Sequence, residues 1–122
     1  MYEVIVRGKF SAGHQLRDIN GICENLHGHN WAIEVVVSAE KLNEIGILID
    51  FSVVEKFTKE ITHQLDHQLL NDLPLFQDIN PSAENISHFI FNELQIKLTV
   101  HPIRVKKVTV WETDGLGASY SC

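Results

Sequence analysis

The spacing of apolar residues changes twice along this chain, and those changes limit the folds that it can adopt. Residues 2–14 and 27–39 alternate apolar and polar side chains, which is typical of strands with one buried face. Two more alternating runs, at 103–113 and 118–121, are separated by a turn over 115–117 and follow a region of helical spacing. The order β-β-α-α-β-β predicts an α+β fold: an antiparallel four-stranded sheet with two helices on one face.

Two apolar stripes mark the predicted helices. Ser52 and Glu55 have the spacing of a capping box, so we expect the first helix to begin there. A second helix is expected from about Ser82, after a loop over residues 68–81. The stripes consist of Val54, Phe57, Ile61 and Leu65 in the first helix, and of Ile86, Phe89, Ile90, Leu94 and Leu98 in the second.

The size and charge of the chain limit the kinds of protein that it can be. Its 122 residues suit a single domain, which we assign to residues 1–122. The net charge of −6 argues against nonspecific binding to nucleic acid or to a membrane. Two cysteines give no disulfide framework, the first residues lack a signal-peptide pattern, and no apolar stretch reaches the length of a membrane span. We therefore expect a cytoplasmic protein, and we expect a homo-oligomer because small enzymes often build their pockets between subunits.

The segment from Cys23 to His29 concentrates a thiol, a carboxylate and two imidazoles in seven residues. His27 and His29 share one face of the second predicted strand, and His14 ends the apolar face of the first. If these strands are antiparallel neighbours, the three imidazoles meet, which is typical of catalytic zinc sites with an open fourth position. The alternative is a turn with incidental histidines, but the matching parity of His14 favours a metal site.

Cys23 and Glu24 are candidate bases beside the histidines. Cys23 lies in a polar loop shortly before His27, and a nearby cation favours the reactive thiolate. A lone cysteine is otherwise more often a small buried apolar residue. Glu24 is either a solvated loop carboxylate or a second general base, and the sequence leaves both interpretations open.

Asp66-His67 and Glu112 are the remaining candidates for chemistry. A carboxylate can orient and stabilise an imidazole, which makes His67 a candidate proton donor or acceptor. The alternative is a helix end at which the dipole favours a cation. Glu112 follows Val110 on an apolar strand face, where a carboxylate needs either water or a partner such as the guanidine-like edge of a ligand.

Six short motifs together resemble the 6-pyruvoyltetrahydropterin synthase / 6-carboxytetrahydropterin synthase family. They occur in the family's order and span nearly the whole chain. The motifs are Phe10-Ser11-Ala12-Gly13-His14, Cys23-x-x-x-His27-Gly28-His29-Asn30, Gly46-Ile47-Leu48-Ile49-Asp50-Phe51, Leu65-Asp66-His67-x-x-Leu70-Asn71, Asn80-Pro81-Ser82-Ala83-Glu84-Asn85 and Val110-Trp111-Glu112-Thr113. The resemblance implies the tunnelling fold, in which subunits close their sheets into a barrel, usually as a hexamer of two trimers with active sites between subunits.

The resemblance also implies a zinc enzyme that acts on a pterin triphosphate. The zinc ligands would be His14, His27 and His29, with Cys23 as the general base. The substrate would be 7,8-dihydroneopterin triphosphate. The short gap between Cys23 and His27 is similar to the bacterial branch, which makes 6-carboxy-5,6,7,8-tetrahydropterin for queuosine and other deazapurines and releases acetaldehyde and triphosphate.

Further residues acquire roles from the same resemblance. Asp66 and His67 would form the second proton-transfer group, and Glu112 would anchor the pterin ring. Ser82 stands where the family often has Thr and would keep a hydroxyl for substrate binding. Glu24 directly follows the Cys, as in members regarded as dual-function. Folate-type cleavage to 6-hydroxymethyl-7,8-dihydropterin is therefore a second candidate activity.

The triphosphate would need cations, since Lys and Arg are its usual protein partners. The candidates are Arg7, Lys9, Arg17, Arg104, Lys106 and Lys107. A non-catalytic zinc-binding module is the alternative from another class of protein. It would explain the three histidines but would leave Cys23, the Asp66-His67 pair and Glu112 as coincidences.

Overall fold

The computed structural model describes residues 1–18 and 24–122. Its elements, in chain order, are β1 (Tyr2–His14), β2 (His27–Ala39), α1 (Phe51–Leu65), β3 (Gln68–Leu69), α2 (Ala83–Lys97), β4 (Arg104–Thr113) and β5 (Leu116–Ser121). Across the described residues the strands form one five-stranded sheet in the order β3-β1-β2-β4-β5. The predicted α+β class is confirmed. Within those same ranges, none of the helices combines the length and the apolar character that a membrane crossing requires.

The prediction of a four-stranded sheet was wrong by one strand. Gln68 and Leu69 form β3, which pairs in parallel with Ala12 and Gly13 at the edge of β1. This strand lies inside 68–81, which we predicted as loop. A strand of two residues is too short to show an alternation of apolar and polar side chains. It is therefore recognised only by its pairing with β1 in the folded protein.

Antiparallel pairing of β1 with β2 sets the geometry of the site. The register places Phe10 opposite Trp31, Ala12 opposite His29, and His14 opposite His27. The apolar faces of the two strands therefore coincide, and their buried residues form the core beneath the helices. The helices lie on this one face, with α1 against β1 and α2 against β4 and β5.

Both helices have the predicted apolar stripes, but α1 begins earlier than its sequence pattern suggests. Asp50 is its N-cap, and the Asp50 side chain accepts a hydrogen bond of 2.8 Å from the backbone N–H of Ser52. The predicted capping box at Ser52 and Glu55 was therefore wrong, because a carboxylate two residues earlier already caps the helix. Helix α2 begins as predicted, with the Ser82 side chain accepting from the N–H of Asn85.

The β4–β5 hairpin turns more tightly than predicted. Strand β5 begins at Leu116, so Gly117 lies in the strand rather than in the turn. The Trp111 ring covers Gly117 so closely that an added Cβ would lie 2.5 Å from it. The register shifts between Trp111 and Thr113, so Glu112 lies at an irregularity of the ladder. Such bulges re-aim side chains, and this one lies at Glu112, whose carboxylate is 3.8 Å from two of the histidines.

Candidate active site

Three imidazoles meet at one end of the sheet, on its helix-covered face. The ligand nitrogens of His14, His27 and His29 all lie within 4.8 Å of one another. The Nε2 atoms of His14 and His27 are 3.0 Å apart. His14 is fully buried, and His29 is largely buried beside it. The strand parity that the sequence predicted is what brings these three side chains together.

The hydrogen bonds of the imidazoles leave the right nitrogens for a metal. The Nδ1 atom of His14 is 2.7 Å from the carbonyl oxygen of Pro81, and that of His27 is 2.7 Å from the carbonyl oxygen of Asn25. Because a carbonyl only accepts, each Nδ1 is the protonated donor and each Nε2 keeps a lone pair. Metal-binding histidines usually show this arrangement.

His29 carries the clearest sign that a partner is needed. Its Nε2 atom is buried and has no hydrogen-bond partner among the described residues. Buried polar atoms normally have partners, because leaving one unsatisfied costs about 1–3 kcal/mol. Burial also lowers the pKa of His29 below its usual range, although Glu112 opposes this effect. The residues present therefore fit a zinc ion, which prefers neutral imidazole nitrogens.

Aromatic packing fixes the ring planes. Trp31 is fully buried, and its ring lies edge-on to those of His14 and His29 at centroid distances of 4.9 and 5.2 Å. The indole N–H donates to the carbonyl oxygen of Ala12, and Phe10 stacks on the indole at 5.8 Å. Rings held on several sides cannot rotate freely, so the cluster is preorganised.

Two carboxylates border the imidazoles. The oxygens of Glu112 lie 3.8 Å from the Nε2 atoms of both His14 and His29. Oε1 of Glu24 lies 4.0 Å from Nε2 of His27 and accepts a hydrogen bond of 3.0 Å from the N–H of Leu16. Glu24 therefore has a defined position at the rim of the cluster, and its role as a base stays a prediction.

Asp66 and His67 form a second cluster. Oδ2 of Asp66 lies 3.0 Å from Nδ1 of His67, and Oδ1 accepts a bond of 2.8 Å from the N–H of Ser11. That bond is the main cause of the lowered pKa of Asp66. His67 has a φ of 57°, in the left-handed region, and its N–H donates to the carbonyl of Ser11. The backbone is thus held in a conformation that costs about 1–2 kcal/mol for an L-residue, which points to a constrained site.

A cleft next to His67 also has His29 in its lining. A cleft of about 390 Å³ at this end of β1 and β2 is lined by His29 and His67, together with Ser11 and Asn30 among others. The His67 side chain is 80% exposed, so it is accessible to a ligand in that cleft. Another cleft, of about 370 Å³, lies between β1 and α1 and contains no histidine among its described lining residues.

Comparison with known proteins identifies the family of this chain. The profile of the 6-pyruvoyl tetrahydropterin synthase family matches residues 3–122. The chain belongs to this family. A 6-carboxy-5,6,7,8-tetrahydropterin synthase of Rickettsia conorii is 32% identical over 77% of this chain and 80% of that protein. A dihydroneopterin monophosphate aldolase of Pyrococcus furiosus is 32% identical over 93% of this chain and 92% of that protein.

A solved structure has the same fold. The 6-pyruvoyl tetrahydropterin synthase of Caenorhabditis elegans superposes with a TM-score of 0.85, covers 99% of this chain and 95% of that chain, and is 22% identical. The fold predicted from the resemblance is therefore confirmed, as is the prediction of a lyase-type enzyme of this family.

Not every predicted site residue lies in the described part of this family member. Cys23 falls outside the described residues, so its role stays a prediction from the sequence. Ser82 is described, and its hydroxyl serves as the N-cap of α2. That contact explains a hydroxyl at this position without a substrate, and the predicted substrate contact stays a proposal.

Sequence reasoning missed the residues that support the ligands. Pro81 and Asn25 act through backbone carbonyls, which no side-chain pattern reveals. Trp31 continued an apolar stripe and looked like ordinary core. The signal that could have found Pro81 is the Asn80-Pro81 motif, which lies just before a helix cap.

The candidate phosphate cations differ in availability. Arg7 pairs with Glu34 at 3.0 Å, and Lys106 pairs with Glu3. Arg17 donates to backbone carbonyls of the loop before α2. The other candidates are exposed: Lys9, Arg104 and Lys107.

Proposed function

We propose that this family member is a zinc-dependent lyase. It converts 7,8-dihydroneopterin triphosphate and one water molecule to 6-carboxy-5,6,7,8-tetrahydropterin, acetaldehyde and triphosphate, in the route to queuosine and other deazapurines. The observation that carries the proposal is the convergence of three imidazole side chains, one of which has a buried Nε2 with no hydrogen-bond partner among the described residues. The names of relatives such as the Rickettsia conorii protein support the choice of reaction.

His14, His27 and His29 would hold the zinc ion through Nε2. When bound, zinc would supply Lewis-acid polarisation of oxygens on the substrate side chain. The carbonyls of Pro81 and Asn25 keep Nδ1 protonated on two of these rings and so direct Nε2 to the cluster. Rings that are already oriented do not have to reorganise when the site is loaded.

Two groups would move protons. Cys23 would act as the base that removes a proton from the substrate side chain. His67 would exchange a proton at another position, because its Nδ1 faces Asp66 and its Nε2 is available to a ligand. The Asp66 carboxylate, which its bond from Ser11 holds in the charged form, would stabilise the imidazolium that forms on His67.

Glu112 would anchor the pterin. Its partly buried carboxylate would accept hydrogen bonds from the guanidine-like edge of the ring. We propose that the site is completed between subunits of a homo-oligomer, a hexamer built as a dimer of trimers. A neighbouring subunit would supply some of the cationic side chains that bind the triphosphate.

Product analysis tests this proposal. Zinc-loaded protein is incubated with 7,8-dihydroneopterin triphosphate, and products are identified by liquid chromatography and mass spectrometry. Cys23→Ala is compared with wild type, and Cys122→Ala is the matched control because it removes the other cysteine, which is exposed. We expect 6-carboxytetrahydropterin from wild type and from the control, and none from Cys23→Ala.

Other outcomes would revise the proposal in defined ways. Full activity in Cys23→Ala would remove that thiol from the mechanism. Zinc binding without any pterin conversion would favour the non-catalytic zinc-binding module.

A second activity is favoured by the position of Glu24. This carboxylate is held by the N–H of Leu16 and faces His27 at 4.0 Å, where it could serve as a base for side-chain cleavage. The name of the Pyrococcus furiosus relative is consistent with such an aldolase reaction. We propose folate-type cleavage to 6-hydroxymethyl-7,8-dihydropterin as the second candidate. It predicts that this product forms in wild type and is lost in Glu24→Ala but not in Glu34→Ala.

A further inference from the structure

The segment that follows His14 is fastened to the loop before α2 by two asparagine side chains. The carboxamide of Asn71 accepts from the N–H of Gln15 at 2.9 Å and donates to its carbonyl at 2.7 Å. The carboxamide of Asn80 makes the same pair of bonds to Arg17, at 2.8 and 2.7 Å. Each carboxamide thus makes the two hydrogen bonds that a residue of a neighbouring strand would make.

The Arg17 side chain adds a third connection to this loop. Its Nη2 donates to the carbonyls of Phe76 and Ile79, both at 2.7 Å, and its Nη1 donates to that of Gln77 at 3.4 Å. Nε donates to the carboxamide oxygen of Asn80 at 3.3 Å. These acceptors are neutral oxygens that a planar guanidinium can reach together. Most of its donors are therefore used within the protein, which argues against a role in phosphate binding.

The loop fixed in this way carries the acceptor of a proposed metal ligand. Asn80 directly precedes Pro81, and its own carbonyl accepts from the side chain of Asn85 at 2.9 Å. Pro81 is buried, and its carbonyl oxygen is 2.7 Å from Nδ1 of His14. The contact joins positions 67 residues apart in sequence, so loop placement decides whether it forms.

We propose that Arg17, acting with Asn80, is a positioning residue for His14. It holds the Pro81 carbonyl where it accepts from Nδ1 of His14, so that Nε2 faces His27 and His29. The inference rests on the proposed zinc site and not on the pterin reaction. Outer partners of metal-binding histidines typically change metal affinity by about 10- to 100-fold when removed.

Zinc affinity in competition with a chromophoric chelator tests the inference. Arg17→Lys keeps the charge but not the planar fork, and Asn80→Ala removes the bonds to the Arg17 backbone. We expect each to weaken zinc binding about 10-fold or more. Asn71→Ala is the matched control, since it removes the same pair of bonds from Gln15 but none from Arg17. Arg104→Lys controls for a change at an exposed arginine; both controls should bind zinc about as tightly as wild type.

A spectroscopic measurement separates positioning from general stability. The visible absorption of the Co²⁺-substituted protein reports the ligand geometry, and we expect it to change in Arg17→Lys but not in Asn71→Ala. Equal zinc affinity and equal spectra in wild type and Arg17→Lys would overturn the inference. Equal losses in Asn71→Ala and Asn80→Ala would also overturn it, because the effect would then be one of stability alone.

Wild-type protein provides a test that does not depend on folding of a variant. Nitrogen chemical shifts of metal-free, ¹⁵N-histidine-labelled protein should show His14 protonated at Nδ1. Protonation at Nε2 instead would overturn the inference. A protein that binds no zinc would overturn it together with the proposed metal site. A protein that binds zinc with the expected dependence on Arg17, but converts no pterin, would leave it standing while the proposed reaction fails.

Discussion

At the scale of single residues, the interpretation of the site depends on Nε2 of His29, which has no hydrogen-bond partner among the described residues. In an ordinary core, a buried imidazole nitrogen without a partner would be a defect that lowers stability. Here it faces the Nε2 atoms of two other histidines within 4.8 Å, so a single ion could satisfy all three. The same nitrogen atom thus lowers the stability of the metal-free protein and contributes to its affinity for a metal ion.

Replacement of His29 should therefore have opposite effects with and without zinc. In metal-free protein we expect His29→Leu to leave the free energy of unfolding unchanged or slightly higher, because it removes an unsatisfied group. With zinc at 100 times its dissociation constant, wild type should gain about 2.7 kcal/mol and the variant much less. Urea unfolding measures both values, with His63→Leu, an exposed position on α1, as control. An equal zinc effect in wild type and His29→Leu would contradict His29 as a ligand.

Caps and bulges matter at the scale of elements, because they set where helices start and where side chains point. Asp50 rather than Ser52 caps α1, and Ser82 caps α2. The irregularity at Glu112 lies next to Trp111, whose ring fits only because residue 117 is glycine. The positions of the loop before α2 and of Glu112 therefore depend on Ser82 and on the contact of Trp111 with Gly117, which carry out no chemical step of the proposed reaction.

The cap of α1 should give a pH-dependent contribution to stability. The bond from Ser52 lowers the pKa of Asp50 below its usual 3.8. A lowered pKa in the folded state stabilises the fold above the unfolded-state pKa, and this stabilisation is lost as the pH falls through the folded-state value. We expect Asp50→Ala to lower the urea midpoint at pH 7 and to differ little from wild type at the lowest pH. Ser52→Ala, the control, keeps the backbone N–H that donates to Asp50 and should have a smaller effect at pH 7. An equal effect would show that the Ser52 hydroxyl, which also bonds to Asp50, matters as much to the cap as the Asp50 side chain.

The hairpin should be sensitive to a single methyl group at residue 117. In Gly117→Ala the added Cβ would overlap the Trp111 ring, so the ring must move or β5 must shift. Overpacking of this kind typically costs about 1–3 kcal/mol, and we expect that loss by chemical denaturation. Gly115→Ala is the control, because nothing lies within 4 Å of its added Cβ. Comparable losses in both variants would show that the ring contact does not set the cost, because the change in chain entropy alone would stabilise both.

At the scale of the whole molecule, the main feature is that both edge strands of the sheet have unpaired backbone groups in the part of the chain that the structure describes. Within the described residues, β3 pairs with β1 only at Ala12 and Gly13, and β5 forms the opposite edge. Unpaired strand edges are ready to pair with another chain. This geometry is consistent with the proposed barrel of subunits, in which edges would meet.

Self-association should therefore be measurable. Sedimentation equilibrium over a dilution series should give a mass that is a multiple of 13.9 kDa, with three or six copies expected from the resemblance. A monomer at all concentrations would contradict the proposed hexamer. It would also require the active site to be complete within one chain.

The sequence alone predicted both helices, four of the five strands and the grouping of the histidines. Alternation and helical spacing are local properties, and strand parity predicted that His14, His27 and His29 lie on faces that meet if the two strands pair, as they do in the structure. The helix start at Ser82 was also predictable, because a cap acts on the next few residues. Asp66-His67 was visible as a pair because its members are adjacent.

Only the tertiary structure determined the contacts that complete the site. Strand β3, the approach of Glu112 to His14 and His29, and the contact of Pro81 with His14 join parts of the chain that are far apart in sequence. Arg17 looked like a phosphate ligand, yet its donors are used on a loop about 60 residues away. Periodicity reports which face of an element is buried, whereas packing decides which distant backbone carbonyl or carboxylate then lies against that face.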